Sequence, residues 1–88
     1  MRARSKKMTR IYVQRRKLVN EMLLKYPYCQ KCKTALSTEV HEVLSRARGG
    51  NILDPNNCRA LCHACHFWIT TNPALATAQG WLKNSWDS

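Results

Sequence analysis

The spacing of apolar residues predicts a long helix near the start of the chain. Apolar residues recur every three or four positions between Thr9 and Tyr26, which is the spacing of one face of an α-helix. Thr9 belongs to the residue types that cap helix N-termini, and Pro27 ends the helical segment. We therefore predict an amphipathic helix over 9–26. The residues of its apolar stripe are Ile11, Tyr12, Leu18, Val19, Met22, Leu23 and Tyr26.

The middle of the chain has the pattern of short strands. Segment 37–44 places β-branched and acidic residues in rough alternation, which is typical of a strand with one buried face. The stretch "RARGGN" at 46–51 predicts a turn, and 52–62 then forms a second strand or a loop. Together with the helices on either side, this pattern predicts an α+β fold.

Two short helices are predicted in the last third of the chain. Helical propensity returns at 63–71. A short C-terminal helix follows, with Asn72 as N-cap, Pro73 at its first position and Gly80 as its stop. The tail that we expect to fold back onto the body contains Trp81 and Trp86.

The size and the cysteine content indicate a metal-stabilised domain. A chain of 88 residues forms one small domain whose hydrophobic core alone supplies little stability. Four of its five cysteines form two C-x2-C pairs, at 29–32 and 62–65, with 29 residues between the pairs. The two-residue spacing lets both thiolates of a pair reach one tetrahedral ion, and four sulfurs close its shell. We predict a structural Zn²⁺ bound by Cys29, Cys32, Cys62 and Cys65.

The cysteine pairs have one alternative assignment, and Cys58 and His63 are assigned separately. The pairs could instead form two disulfides, but no secretory signal precedes them, and we expect a cytoplasmic protein with reduced thiols. The fifth cysteine, Cys58, is expected to be a small buried apolar residue. His63 lies inside the second pair, and the sequence does not choose among solvent, phosphate and the zinc shell for its side chain.

The charge distribution indicates a polyanionic partner. The net charge is +10, and residues 1–20 hold eight of the fifteen Lys and Arg residues and no acidic residue. Residues 1–8 are basic and poor in apolar groups, so we predict a flexible arm there, followed by a single domain over 9–88. No amphipathic membrane anchor accompanies the basic residues, which favours nucleic acid over a membrane. The alternative is a solvated basic face.

The segment from Cys29 to His66 resembles the HNH endonuclease family in its zinc-knuckled form. The residues that carry the resemblance are "CQKC", then "VHEVLSRARGG", then "LDPNNCRALCHACH". The order and spacing of these stretches are similar to those of small stand-alone HNH proteins of phages and prophages. The resemblance implies a zinc-stabilised ββα-metal domain, also called a His-Me finger, between the N-terminal helix and the C-terminal helix.

The resemblance also implies a role for each residue of the active site. Aligned on the two glycines, His41 is a ligand of the catalytic divalent ion, and Glu42 takes the place of the general base. Asn57 orients the loop and the base, and His66 is a second ligand of the ion, which is Mg²⁺, Mn²⁺ or Ni²⁺. Glu42 departs from the family pattern, which has histidine there. In a register shifted by one residue, His41 is the base and Glu42 helps to hold the ion.

Three functions compete on these grounds. The first is a metal-dependent endonuclease that nicks or cuts DNA with little sequence preference, which the resemblance links to phage DNA packaging and to terminase proteins as partners. The second is a catalytically inactive zinc-knuckle module that binds nucleic acid. The third is a zinc adaptor for another protein. The predicted nucleic-acid contacts are Arg10, Arg16, Lys17, Arg46, Arg48 and Arg59.

Overall fold

The computed structural model describes residues 6–84 and contains three α-helices and two antiparallel strands. This α+β composition confirms the predicted fold class. Two single-turn 3₁₀ helices, Arg46–Arg48 and Pro55–Asn57, lie between the strands. The main elements, in chain order, are helix α1 (Lys6–Lys25), strand β1 (Glu39–Glu42), strand β2 (Cys58–Leu61), helix α2 (His63–Thr71) and helix α3 (Pro73–Ala78).

Helix α1 begins earlier than its sequence pattern predicts. It starts at Lys6, so Thr9 lies inside the helix and is not its N-cap. Lysine is a good helix former, which allows the helix to extend upstream of the apolar stripe. On that stripe Met22 is buried, whereas Tyr12 is 43% exposed. The first five residues of the predicted basic arm lie outside the described residues.

The two strands form a hairpin whose faces contact different helices. Glu39 pairs with Leu61, His41 with Arg59, and Glu42 with Cys58. Successive side chains of a strand point to opposite faces, so the residues of β1 divide into two sets. Glu42 and Cys58 face α1, where both contact Arg15, and Glu39 faces α2, where it contacts two histidines. One face of this hairpin therefore contacts α1, and the other contacts α2.

The loop between the strands is closed by its own backbone and by one side chain. The Asn57 side chain accepts a hydrogen bond from the Leu44 N–H at 2.8 Å and donates one to the Leu44 carbonyl at 2.9 Å. Gly50 approaches the same residue so closely that an added Cβ would lie 1.8 Å from the Leu44 carbonyl oxygen. Gly49 has a φ of 91°, a left-handed conformation that glycine adopts at little cost. These contacts hold the loop against the end of β1.

The hydrophobic core lies around the start of α2 and includes part of the cysteine cluster. Leu61, Ile69 and Ala76 are buried together with Cys29 and Cys62. Trp81 packs against this cluster, which confirms that the chain folds back after α3, whereas Trp86 lies outside the described residues. Cys58 is also buried, as predicted. The core is therefore continuous with the two cysteine pairs.

The two C-terminal helices match their predicted bounds closely. Helix α2 covers the predicted segment 63–71, and α3 starts at Pro73 and ends two residues before Gly80. Asn72 occupies the N-cap position of α3, but its side chain donates to the Trp68 carbonyl and makes no cap hydrogen bond. Across residues 6–84, we find no helix with the length and apolar character that crossing a bilayer requires.

Candidate metal centre and histidine face

The four paired cysteines come together at one point, which we call the cysteine centre (Cys29, Cys32, Cys62 and Cys65). Their Sγ atoms all lie within 4.8 Å of one another, and the Sγ atoms of Cys32 and Cys62 are 3.9 Å apart. Four sulfurs bound tetrahedrally to one zinc ion at about 2.3 Å would lie about 3.8 Å apart. The cysteine centre could therefore hold a metal ion such as zinc, as the spacing predicts.

Local backbone geometry prepares each pair for a metal. Cys29 Sγ accepts hydrogen bonds from the N–H groups of Lys31 and Cys32, at 3.4 and 3.5 Å. Cys62 is the N-cap of α2, and its Sγ accepts from the N–H of Cys65 at 3.5 Å. Such N–H donors stabilise thiolate sulfur, which is the form that binds a metal. In both turns the sulfur of the first cysteine accepts a hydrogen bond from the N–H of the second.

The thiols of the cysteine centre do not ionise alike. Hydrogen bonds from the Thr34 hydroxyl and from nearby backbone N–H groups lower the pKa of Cys32 to about 5. Burial, together with hydrogen bonds among the neighbouring thiols, raises the pKa of Cys65 to about 12. Four thiolates so close together need a cation to compensate their charge. Metal binding at this centre should thus release protons.

A second polar cluster lies beside the cysteine centre, on the face of the hairpin that meets α2. We call it the histidine face, formed by Glu39, His41, His63 and His66. The Glu39 carboxylate accepts two hydrogen bonds of 2.6 Å, one from His63 Nδ1 to Oε2 and one from His66 Nδ1 to Oε1. These two hydrogen bonds lower the pKa of Glu39, so its side chain is a carboxylate at neutral pH.

His41 is the buried member of the histidine face. Its Nε2 lies 2.6 Å from the backbone carbonyl oxygen of Trp81. A carbonyl only accepts, so Nε2 carries the proton and the Nδ1 of the neutral ring keeps a lone pair. Burial lowers the pKa of His41 by more than the bond to Trp81 raises it, so the ring is neutral at pH 7. The ring centroid of His66 lies 5.1 Å away.

Glu42 is not on the histidine face. It follows His41 directly, so its side chain points to the other face of the hairpin, towards α1. There its carboxylate forms an ion pair of 2.9 Å with Arg15. The same guanidinium donates to the carbonyls of Ile52 and Val40. The structure therefore brings His41 and His66 together, but it places the predicted base Glu42 in a contact between α1 and the hairpin.

The predicted phosphate-binding residues divide between two regions. Arg59 is the cross-strand partner of His41, and its guanidinium donates to the carbonyls of Asn56 and Cys58. Arg48 donates to the Asn84 side chain. Three other predicted contacts, Arg10, Arg16 and Lys17, are exposed on α1. Of these cationic residues, Arg59 is the one paired in register with His41.

Two side chains of this region escaped the sequence analysis. Glu39 lies two residues before His41, and the period of two in a strand places both on one face. Arg15 lies four residues after Ile11 and three before Leu18, so the helical period places it within the apolar stripe of α1. Both positions could have been recognised from their spacing.

The comparisons with known proteins give no relative. No protein-family model, no curated protein and no solved structure matches the chain.

Proposed function

We propose that this protein is a divalent-metal-dependent endonuclease of the HNH type, which hydrolyses phosphodiester bonds of DNA. The proposal combines the resemblance of segment 29–66 with the arrangement of the histidine face. The hairpin followed directly by α2 is compatible with the ββα-metal domain that the resemblance implies. In this reading the cysteine centre binds a structural zinc ion and fixes the start of α2.

The observation that carries the proposal is the state of His41. Phosphodiester hydrolysis needs a base that removes a proton from the attacking water. A neutral imidazole with a free Nδ1 can accept that proton, and the hydrogen bond from Nε2 to the Trp81 carbonyl holds the ring and stabilises the charge that it gains. His41 therefore acts as the general base. Glu42, which is paired with Arg15, serves to hold α1 against the hairpin.

His66 would hold the catalytic cation. Its Nδ1 donates to Glu39, so Nε2 of the neutral ring keeps the lone pair that binds a metal. The cation would stabilise the negative charge that builds on the phosphate oxygens. An imidazole ligand suits Ni²⁺, whereas Mg²⁺ or Mn²⁺ would take most of their ligands from water and phosphate oxygens.

Positive charge beside the site supports binding of the substrate. Arg59 lies across the hairpin from His41, where its guanidinium can contact a phosphate next to the scissile one. The net charge of +10 attracts the DNA backbone over a longer range. Asn57 holds the loop that carries Arg46 and Arg48 against the end of β1.

A second candidate function rests on the position of Glu42. If a carboxylate at that position were required as the base, its ion pair with Arg15 would leave the site inactive, and the protein would be a zinc-knuckle module that only binds nucleic acid. The two functions share the cysteine centre and the charge. They differ in whether DNA is cut.

The test is the nicking of supercoiled plasmid by zinc-loaded protein with added Mg²⁺, Mn²⁺ or Ni²⁺. The wild type should nick DNA, whereas His41→Ala and His66→Ala should not, with circular dichroism as the check that each variant is folded. A folded wild type that retards DNA in a salt-dependent manner but cuts with none of these cations would establish the binding module.

A further inference from the structure

Glu39 contacts two histidines of the histidine face, although the proposed reaction uses only one of them, His66, as a metal ligand. Its two carboxylate oxygens each accept one hydrogen bond of 2.6 Å, from His63 and from His66. The two histidines are three residues apart on α2, a spacing that places them side by side on one helix surface. Glu39 itself is fixed by its pairing with Leu61 in the hairpin. One carboxylate thus joins β1 to two imidazoles.

We propose that Glu39 is a positioning residue that fixes the ring orientation and the tautomer of both His63 and His66, and that it thereby adds His63 to the site. This inference rests on the proposed function for the reaction that the site serves. The contacts that carry it are independent of that reaction.

The tautomers follow from the chemistry of the hydrogen bonds. A carboxylate only accepts, so the Nδ1 atoms of His63 and His66 both carry protons. In the neutral rings, Nε2 then keeps the lone pair and points away from Glu39. A histidine ligand whose other nitrogen donates to a carboxylate is a common arrangement around metals, because the carboxylate orients the ring and makes it a better ligand. His41 has the opposite tautomer, with its proton on Nε2.

Burial in the core does not explain the position of His63. Its side chain is 79% exposed, and its ring stacks on the exposed Phe67 at a centroid distance of 6.5 Å. An exposed long side chain loses conformational entropy when it is held in one rotamer. The bond to Glu39 offsets that loss and holds the His63 ring on the same helix surface as His66, with its Nε2 available to a ligand.

The experiment is a long-range ¹H–¹⁵N correlation spectrum of the histidine rings in the full, zinc-loaded chain. The sequence has three histidines, so single substitutions assign every signal. We expect Nδ1–H rings for His63 and His66 and an Nε2–H ring for His41. In Glu39→Ala, the first two should change to the Nε2–H form that predominates for histidine in water, while His41 keeps its pattern.

Two further variants separate positioning from folding. Glu39→Gln retains the shape but offers one accepting oxygen, so one of the two rings should keep its Nδ1–H form. Glu21→Gln, on the exposed side of α1, is the matched control and should leave all three rings unchanged. If Glu39→Ala fails to fold by circular dichroism, Glu39→Gln carries the test.

The rate of plasmid nicking supplies the second readout. Loss of a residue that supports a metal ligand costs about 10- to 100-fold in activity or metal affinity, so Glu39→Ala should nick DNA more slowly by that factor and Glu39→Gln by less. The inference is overturned by Nε2–H rings at His63 and His66 in the wild type, or by a Glu39→Ala variant whose ring pattern and rate match the wild type. A wild type that cuts no DNA but shows the expected tautomers overturns the proposed function and leaves the positioning role of Glu39 in place.

Discussion

The cysteine centre and the histidine face take their side chains from the same turn of α2, yet they have opposite properties. Cys62 and Cys65 point to the core, while His63 and His66 point to Glu39 on the hairpin. The cysteine centre offers four sulfurs as ligands and is completed by a second pair from a distant turn. The histidine face offers nitrogens with lone pairs, and part of it is exposed. One short helix therefore connects a closed ligand set to an open one.

The difference between the two clusters indicates that the cysteine centre serves folding and that the histidine face serves the proposed reaction. A closed set of four sulfurs leaves a metal no position for water or substrate, so it contributes only to stability. The histidine face contributes little to the core, and one ring nitrogen of its buried member His41 makes no hydrogen bond within residues 6–84. We expect substitutions in the first cluster to change the free energy of unfolding and substitutions in the second to change the rate of cleavage.

The largest effect should come from removal of the metal at the cysteine centre. Structural zinc contributes about 10–16 kcal/mol of apparent binding free energy in small domains, which exceeds the stability of most single domains. Cys62→Ser, or a strong chelator added to the wild type, should therefore unfold the chain, as followed by far-UV circular dichroism and by zinc content.

Cys58 provides the control for that experiment. It is buried but lies outside the cysteine centre, so Cys58→Ala should keep one zinc per chain and lose only the stability of a small buried side chain and of its contact with Arg15. A Cys62→Ser variant that remains as stable as Cys58→Ala would show that the cysteine centre does not stabilise the fold through a metal.

The next largest effect should appear at His41, and it should be on the rate. Loss of a general base lowers the rate by about 10²- to 10⁴-fold. His41→Gln removes the base but retains an N–H group that can donate to the Trp81 carbonyl, so the fold should persist. Nicking assays with Mg²⁺, Mn²⁺ and Ni²⁺ measure the rate, and thermal unfolding measures the stability. His41→Gln that cuts as fast as Glu21→Gln would remove His41 from the role of base.

A smaller effect is expected at Glu42, and it should be on stability. The carboxylate and Arg15 are both largely screened from water, with side chains 28% and 16% exposed, so their hydrogen-bonded ion pair should contribute about 1–3 kcal/mol. Glu42→Gln should lose that amount in denaturant unfolding and should retain more activity than His41→Gln. A rate loss in Glu42→Gln as large as that in His41→Gln would mean that Glu42 is the general base.

A double-mutant cycle with Arg15 measures the contribution of the ion pair with Glu42 to stability. Arg15→Gln also removes the donors to the carbonyls of Ile52 and Val40, so it should destabilise the protein more than Glu42→Gln does. The two substitutions should be non-additive because the residues are in direct contact. Additive losses would mean that the ion pair contributes nothing to the attachment of α1.

Sequence alone predicts the elements of this fold better than it predicts the faces on which side chains meet. The spacing of the cysteines was sufficient to predict their convergence, because two-residue turns constrain the pair locally. Only the family resemblance predicts that His41 and His66 lie close together. The contacts of Glu39 and of Glu42 were missed because both depend on the register of β1 and on the side of the hairpin that each helix covers. Adjacent glutamate and histidine in a strand point to opposite faces, whereas the family alignment assigns both to one site.

The smallest effect should come from the arginines. They lie in two regions, one next to the histidine face and the other on α1. Arg59 lies across from His41, whereas Arg16 is exposed on α1, away from the histidine face. Each lost phosphate contact should reduce the slope of log affinity against log salt by about 1. If the two arginines contact DNA as proposed, both Arg59→Gln and Arg16→Gln should show this reduced slope in binding titrations, and only Arg59→Gln should also slow nicking at saturating DNA. Equal rate losses in the two variants would indicate that charge attracts the substrate without positioning it, and that the phosphate is positioned by the cation on His66 and not by Arg59.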